Sequence, residues 1–552
     1  VVTGYAGQVS LAQLSLAGVG AFALFRFAEN WGVPFPIAPI LSAAVAAVIG
    51  VVIGLPALRI RGLPVAIVTL AFATAVEALW FNNPDYNGGL TGATIKVPSL
   101  FGVDFRVDAL SSRIPFALMC LTTLTMVAVG VALLRRSQLG ASMLAVKANE
   151  RSAAAAGIDV ARTKVIAFAM GAFIAGLAGS LLGYYQQAAI ATTYNAVAGI
   201  GIFALIYLSG VTTISGGINA GVLAAGGLVY VVIDRNLDLG PWYAAISGVL
   251  LIFTVIRNPE GIMGDVQARL RERRERGQQT TLPVFEREEG ATVTPSVGGN
   301  DSSAACVLKA EAITVNYGGV RAVDNVNLDI REGSIVGLIG PNGAGKTTLI
   351  DAISGFTKGL GTTTYLDVDV SEWSPHRRAR MGLGRTFQSV ELYEDLTVAE
   401  NIVVGQRAAR ERFERHEDHG AALDELCVLL RLDGVRDRPV AELSAGYRQL
   451  VSIARTLAGR PRVLLLDEPA GGLDSDESRW LGDRLCDIRD AGVTVVMIDH
   501  DMDLVLNVCD YVYVLDIGAV IAQGAASEVR ADRRVAEAYL GMSDTALAVG
   551  QP

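Results

Sequence analysis

The sequence predicts two unlike domains, an α-helical domain that crosses a membrane several times and, after it, a soluble α/β domain. Apolar runs of about 20 residues, the length that spans a bilayer as a helix, gather in the first half. Alternating strand and helix patterns follow in the second half. With 552 residues, 51% of them hydrophobic, the chain is too long for one ordinary domain and too apolar for a wholly soluble protein.

The charged residues divide the chain in the same way. Residues 1–263 hold 14 Lys and Arg and 10 Asp and Glu, a net charge of +4, whereas residues 264–552 hold 32 and 45, a net charge of −13. The overall acidity argues against a partner held by phosphate neutralisation, so no nucleic acid is expected. The five cysteines show no metal-type spacing, which favours free thiols in a reducing compartment.

Eight apolar segments are predicted membrane spans, the last two short enough to be tilted, broken or re-entrant helices. They cover residues 9–28, 37–55, 63–81, 114–134, 165–185, 196–214, 218–233 and 242–256. Basic residues gather near Arg59, within residues 135–164 and at Arg257. Because cytoplasmic loops carry an excess of Lys and Arg, we place these loops and the N-terminus inside, and residues 82–113 outside. Val1 is not a methionine, so a further upstream segment is one interpretation.

Two features inside the spans allow more than one interpretation. Gly171, Gly176 and Gly179 favour close packing of helices in lipid over a role in a substrate pathway. Glu77 is the one carboxylate well inside a predicted span, where it either lines a polar pathway or reaches the outer interface.

Residues 264–305 are predicted to be a flexible linker between the domains. A run of arginines is followed by glutamates and a stretch rich in Gly, Ser, Thr and Pro, a composition that cannot bury a core. The basic run is expected to meet anionic lipid headgroups, and nucleic-acid binding is the weaker alternative. The domain boundaries are therefore 1–263, 264–305 and 306–552.

A predicted buried strand, residues 334–339, leads into a glycine-rich loop that opens a helix. In this context backbone N–H groups cradle phosphates, Lys346 reaches the β- and γ-phosphates and the Thr347 hydroxyl binds Mg²⁺. The second domain is therefore predicted to be an α/β P-loop NTPase that binds ATP and Mg²⁺. The loop consists of Gly340, Pro341, Asn342, Gly343, Ala344, Gly345, Lys346, Thr347 and Thr348.

Two further predicted strands end in residues suited to phosphate chemistry. Residues 463–466 are followed by Asp467 and Glu468, which places an Mg²⁺-ordering carboxylate and a water-orienting or basic one beside the loop. Residues 493–498 are followed by Asp499 and His500, and His500 is predicted to contact the γ-phosphate. The alternative is a structural role, which is commoner for a lone histidine.

Residues 443–449 read Leu-Ser-Ala-Gly-Tyr-Arg-Gln, in which Ser444 is predicted to cap a helix whose N-terminus faces an anion. With the motifs above, this segment makes residues 306–552 resemble the nucleotide-binding domain of ABC transporters. The resemblance implies that Tyr317 stacks on adenine and that Asp474 lies in the D-loop. It further implies that Gln388 senses Mg²⁺ and couples to the membrane domain.

The same resemblance makes Glu468 the catalytic carboxylate and His500 the switch histidine. Ser444 and Gly446 keep the γ-phosphate contact of the signature. The signature departs from the usual Leu-Ser-Gly-Gly-Gln at Ala445 and Tyr447, which puts full turnover at the site it completes in doubt.

Within ABC transporters the chain resembles the branched-chain amino-acid importers in both halves. Residues 337–346, 498–502 and 538–541 are similar to their ATPase, and residues 4–10, 54–62 and 257–261 to their permease. Residues 150–157 are similar to the cytoplasmic coupling helix of importers, with an ordinary amphipathic loop helix as the alternative.

The resemblance implies ATP-driven import of branched-chain or related hydrophobic amino acids across the cell (inner) membrane by a multi-pass permease with a cytoplasmic ATPase. The expected partners are a second permease, a second ATPase or a second copy of this chain, an external substrate-binding protein and membrane lipid. Two alternatives stay within the family, an exporter half-transporter and an importer of other amino acids or urea-like amides. A third, motivated by Ala445 and Tyr447, is a regulatory ATPase that binds nucleotide without driving transport.

Overall fold

The computed structural model describes the chain except residues 59, 61, 85, 88–92, 108–112, 225–226, 238–241, 258–304, 389–390, 395, 410–418 and 541–552. Two compact units emerge, Val1–Lys147 with Val160–Thr280 and Ala148–Asp159 with Thr281–Pro552. The predicted linker lies outside the described residues apart from residue 305, and its boundaries stay a prediction. The short segment Ala148–Asp159 belongs to the second unit although it lies within the first in sequence.

The first unit is helical, as predicted. Two short antiparallel strand pairs complete it, Ala93–Thr94 with Ala188–Ala189 and Ser99–Leu100 with Val103–Asp104. Its α-helices are Val2–Ala6, Gln13–Phe25, Ile37–Ala57, Leu63–Val76, Ile114–Arg136, Gln138–Ala148, Val160–Gln186, Ala196–Ser209, Ile214–Leu223, Leu228–Leu237 and Tyr243–Arg257.

Among the described residues, five segments are long and apolar enough to cross a membrane: Ile37–Pro56, Pro64–Phe81, Ile114–Arg136, Val160–Gln186 and Ile214–Asn236. They correspond to five of the eight predicted spans. The other three predicted spans overlap the shorter helices Gln13–Phe25, Ala196–Ser209 and Tyr243–Arg257. The total of eight therefore stays a prediction.

Helix Val160–Gln186 packs against its neighbours through small residues, as predicted from its glycines. A Cβ atom at Gly179 would overlap the backbone carbonyl of Ala17, and one at Gly176 would lie 2.6 Å from the Cβ of Ala46. Helices Gln13–Phe25 and Ile37–Ala57 can therefore approach this helix only because these positions lack a side chain.

Glu77 starts a π-helical turn, Glu77–Phe81, that continues helix Leu63–Val76. Its carboxylate accepts a hydrogen bond from the backbone N–H of Ala196 at 3.0 Å, at the first residue of helix Ala196–Ser209. A carboxylate at a helix N-terminus is favoured by the helix dipole and satisfies an otherwise open donor. This hydrogen bond gives Glu77 a structural partner that neither predicted role included.

The second unit is α/β, as predicted. A six-stranded sheet has the order Leu383–Arg385, Val463–Asp467, Thr494–Ile498, Ile335–Ile339, Tyr511–Asp516 and Ala519–Gly524, with only the last strand antiparallel. A four-stranded antiparallel sheet has the order Val320–Arg331, Cys306–Tyr317, Leu360–Tyr365 and Val368–Asp369. The α-helices are Glu150–Ala155, Lys346–Ile353, Pro375–Met381, Val398–Gly405, His419–Leu429, Ala445–Leu457, Ser475–Asp490, Met502–Val508, Ala526–Ala531 and Arg533–Leu540.

The parallel strands are buried on both faces, which explains why they are almost continuously apolar. In strand Ile335–Ile339, Ile335 and Ile339 face one hydrophobic cluster, which holds helix Ala445–Leu457, while Val336 and Leu338 face another. This second cluster joins the sheet to the antiparallel strands and to helix Lys346–Ile353. The carboxyl ends of the parallel strands therefore lie at one edge of the sheet, where the predicted phosphate loop begins.

All five cysteines are free thiols, as predicted.

The tight packing at Gly179 is testable by a single methyl group. Gly179→Ala is expected to lower the melting temperature of the purified chain, because overpacking a close contact costs about 1–3 kcal/mol. Gly130→Ala is the matched control, since a Cβ at Gly130 has nothing within 4 Å. Equal melting temperatures for the two variants would contradict the packing account.

Candidate nucleotide-binding site

The phosphate loop (residues 340–348) follows the buried strand Ile335–Ile339 and opens helix Lys346–Ile353. Gly340, Gly343 and Gly345 have φ angles of 148°, 85° and 96°, a region that side chains disfavour. A Cβ at Gly340 or Gly345 would also overlap a backbone carbonyl, whereas one at Gly343 has no atom of the described residues within 4 Å. The loop thus keeps its middle open, as a phosphate cradle requires.

Lys346 lies over this loop. Its ammonium group donates hydrogen bonds to the carbonyls of Gly340 at 2.6 Å and Pro341 at 2.9 Å. Burial lowers the pKa of Lys346, and the carboxylates of Glu468 and Asp467 oppose that shift. The cation is therefore held where the loop's phosphates are predicted to lie. Of the other loop residues, Asn342 is exposed, Ala344 is buried and Thr348 lies in the first turn of the helix.

Thr347 and Asp467 meet beside the loop. Asp467 ends strand Val463–Asp467 with its side chain 2% exposed, and the Thr347 hydroxyl donates to its carboxylate at 3.4 Å. Burial raises the pKa of Asp467, an effect that the Arg385 guanidinium opposes. A hydroxyl and a carboxylate at this spacing fit Mg²⁺, whose neighbouring oxygen ligands at about 2.1 Å lie about 3 Å apart.

The described residues contain no group of three or more His, Cys, Asp or Glu side chains that could hold a metal ion by themselves. Mg²⁺ is commonly held by one or two carboxylates together with phosphate oxygens and water. The pair Thr347 and Asp467 therefore suits a metal that arrives with a nucleotide.

Glu468 and Gln388 are joined by a hydrogen bond. The Gln388 amide donates to the Glu468 carboxylate at 2.8 Å. Glu468 has a φ of 50°, and its N–H donates to the carbonyl of Ile498 at 2.8 Å. A non-glycine residue in this region stores strain, a feature that gathers at functional sites. Two predicted site residues from distant parts of the chain therefore meet in this hydrogen bond.

His500 follows strand Thr494–Ile498, and its side chain is 70% exposed. The preceding Asp499 is buried and accepts backbone hydrogen bonds from Ala470, His500 and Asp501 at 2.8–3.0 Å. Asp499 thus fixes the turn that presents His500. The sequence motifs give Asp499 no role, although an acidic residue directly after a buried strand is the signal that indicates one.

Ser444 caps helix Ala445–Leu457 as predicted, since its hydroxyl accepts from the N–H of Tyr447 at 3.5 Å. Gly446 is buried, and a Cβ there would lie 3.0 Å from the side chain of Leu473. Tyr447 is 5% exposed and belongs to the hydrophobic core. The departure of the signature at Tyr447 therefore places an aromatic ring in the core.

Two predicted site residues lie on other elements. Tyr317 ends strand Cys306–Tyr317, is 52% exposed and shares a hydrogen bond with the Thr357 hydroxyl at 3.2 Å. An exposed ring at this strand end is available for stacking. Asp474 caps helix Ser475–Asp490 in a reciprocal pair with Glu477.

Three family models match this chain. Residues 323–471 match the ABC transporter model, and residues 1–255 match the permease component of the branched-chain amino-acid transport system. Residues 519–541 match the branched-chain amino-acid ATP-binding cassette transporter model.

Curated relatives match the second half. The high-affinity branched-chain amino-acid transport ATP-binding protein LivG of Salmonella typhimurium is 37% identical over 251 residues, 43% of this chain and 98% of the relative. BraF of Pseudomonas aeruginosa, described by the same words, is 36% identical over 253 residues, again 43% and 98%. A probable LivG of Archaeoglobus fulgidus is 31% identical over 255 residues, 44% and 99%.

Solved ATP-binding cassettes of ABC transporters are also similar. One in its ADP conformation is 30% identical with a TM-score of 0.39, covering 43% of this chain and all of that one. A nucleotide-free cassette is 29% identical with the same TM-score and coverage.

With the phosphate loop, the buried Asp467 and the permease match in one chain, the protein is an ABC transporter subunit that joins a permease to its ATP-binding cassette. It belongs to the branched-chain amino-acid ABC transporter family. It is a membrane protein with a cytoplasmic ATPase domain that binds nucleotide.

The cradle is testable at Lys346. Lys346→Ala is expected to weaken ATP binding to the purified chain by about tenfold or more, because a charge-assisted hydrogen bond contributes about 1.5–3 kcal/mol. Lys309→Ala is a control, since Lys309 is an exposed residue paired with Glu311 outside the loop. Equal ATP affinity in both variants would contradict the assignment of the loop.

Proposed function

We propose that this chain drives the import of branched-chain or related hydrophobic amino acids with the energy of ATP, as a fused permease and ATPase subunit. The observation that carries the proposal is that both halves independently match the same transport system, residues 1–255 as its permease and residues 519–541 as its ATPase. The names of the similar ATP-binding proteins support the same substrate class.

The site supports a division of roles during hydrolysis. The phosphate loop and Lys346 bind the β- and γ-phosphates, and Tyr317 stacks on the adenine ring. Thr347, Asp467 and Gln388 hold Mg²⁺, which when bound supplies positive charge to the phosphate oxygens. Glu468 orients the attacking water or accepts its proton, and the exposed His500 contacts the γ-phosphate.

A second ATPase completes the site. By resemblance, ATP lies between the phosphate loop of one cassette and Ser444 and Gly446 of another, with Asp474 at the contact between cassettes. We propose a second ATPase or a second copy of this chain, a second permease, an external substrate-binding protein and surrounding lipid, all at the inner membrane.

The alternatives are weighed by particular observations. An exporter half-transporter is disfavoured because residues 1–255 match the permease of an amino-acid transport system. A nucleotide-binding regulator is motivated by Ala445 and Tyr447, but Glu468 is retained in hydrogen-bond contact with Gln388. Other amino acids or urea-like amides remain alternative substrates within the family.

Hydrolysis is tested at Glu468. Glu468→Gln keeps the shape and the contact with Gln388 but removes the negative charge, and it is expected to lower the ATPase rate by about 100-fold or more while ATP binding persists. Glu311→Gln, on the exposed antiparallel sheet, is expected to leave the rate unchanged. A parental rate in Glu468→Gln would favour the regulatory alternative.

The substrate class is tested by uptake of labelled leucine in cells that carry Lys346→Ala or the parental chain. We expect uptake to depend on Lys346 and to be competed by isoleucine and valine but not by urea. Equal uptake in both strains would remove the substrate assignment, and increased retention of leucine in the variant would indicate export.

A further inference from the structure

A chain of alternating charges runs from the short helix Glu150–Ala155 to the carboxylate beside the phosphate loop. Both carboxylate oxygens of Asp351 accept from the Arg151 guanidinium, at 3.0 and 3.2 Å. Asp351 also meets Arg385 at 2.7 Å, and Arg385 meets Asp467 at 3.6 Å. All four residues lie in the second unit, and Asp467 contacts Thr347 at the proposed metal position.

Two aromatic rings pack against the guanidinium groups of Arg151 and Arg385. Phe356 and Phe387 pack edge to face with centroids 5.3 Å apart. The Arg151 guanidinium lies 5.4 Å from both ring centroids, and that of Arg385 lies 4.8 Å from Phe387 and 5.4 Å from Phe356. Cation–π contacts of this kind fix the direction of a guanidinium. The two arginines therefore share one carboxylate and one aromatic pair.

Among these four charged residues, Arg385 links Asp351 to Asp467. Its side chain is 2% exposed, and its Nη2 atom has no hydrogen-bond partner among the described residues. This nitrogen instead forms an ion pair with the Asp467 carboxylate at 3.6 Å. Its Nη1 atom is held by Asp351 and by the Ser354 hydroxyl. Charges this deeply buried interact more strongly than surface pairs. A change in the net charge at Asp351 therefore changes the strength of the ion pair between Arg385 and Asp467.

Arg151 is not needed merely to attach its helix. The Ser152 hydroxyl donates to the carbonyl of Glu391 at 2.9 Å, and the Arg380 side chain donates to the carbonyl of Gly157 at 2.8 Å. These two hydrogen bonds join the segment to the same unit without touching Asp351. Arg151 alone, among the described residues of this helix, makes an ion pair with Asp351.

We propose that Arg151 is a positioning residue that sets the affinity of the nucleotide site for its divalent cation. When Arg151 neutralises Asp351, Arg385 is left to hold Asp467 and competes with the cation for that carboxylate. When Arg151 is absent or withdrawn, Asp351 draws Arg385 away and frees Asp467. The inference rests on the proposed Mg²⁺ site, and it gives the segment Ala148–Asp159 an electrostatic effect on that site.

The test measures the affinity of the full chain, in detergent, for a fluorescent, non-hydrolysable ATP analogue at increasing Mg²⁺ concentrations. The value compared between variants is the Mg²⁺ concentration at which half of the gain in affinity is reached. Arg151→Ala is expected to lower that concentration by about threefold or more, and Asp351→Asn to raise it by about as much, because the two substitutions remove opposite charges. Arg151→Lys is expected to restore a nearly parental value.

The double variant distinguishes an effect of Arg151 that acts through Asp351 from a direct long-range electrostatic effect of Arg151 on the metal site. If Arg151 acts through Asp351, then Arg151→Ala has no effect in the Asp351→Asn background, whereas independent charges give additive shifts. Ser152→Ala is the matched control, since it removes a neighbouring contact of the same helix and is expected to leave the Mg²⁺ dependence unchanged.

Three results would overturn the inference. The half-saturating Mg²⁺ concentration of Arg151→Ala could equal the parental value, it could rise above that value, or the shifts in the double variant could be additive. A parental chain whose analogue affinity does not depend on Mg²⁺ would instead contradict the proposed metal site itself. The two failures are therefore distinguishable.

Discussion

The buried carboxylate of Asp467 is the constraint on which the ATPase site depends. It ends a central strand with its side chain 2% exposed, between the Thr347 hydroxyl and the Arg385 guanidinium. A buried charge is tolerated only when it is paired, so the strand end, the phosphate-loop helix and the strand Leu383–Arg385 must all keep their places. The next residue, Glu468, has a φ of 50° and accepts a hydrogen bond from Gln388. The proposed catalytic and metal-binding positions therefore follow from one strand end.

The sequence predicted the fold class and the central strands closely, for a physical reason. Strands buried on both faces are almost continuously apolar, so the predicted strand 334–339 differs from the observed Ile335–Ile339 by one residue, and 493–498 from Thr494–Ile498 likewise. The phosphate loop was predictable because left-handed backbone and close approach require glycine at fixed positions. The helical permease was predictable from its apolar runs.

Contacts between residues far apart in sequence were not predictable where no motif joins the two residues. Arg151 and Asp351 are 200 positions apart, and each alone resembles an ordinary surface charge. The hydrogen bond from the Ala196 N–H to Glu77 joins residues 119 positions apart. The sequence showed an unusual carboxylate inside a span but gave no sign of its partner. Residues 150–157 are similar to the coupling helix of importers, and only that resemblance, not periodicity, indicates the grouping of Ala148–Asp159 with the ATPase unit.

The central claim is that hydrolysis at this site drives the accumulation of a hydrophobic amino acid. The most direct measurement records phosphate release and labelled leucine accumulation together, in vesicles that contain the chain with the proposed partner subunits and the proposed substrate-binding protein. The account predicts accumulation against a leucine gradient that requires ATP and rises in proportion to phosphate release. Hydrolysis at the same rate without accumulation of leucine, isoleucine or valine would contradict it.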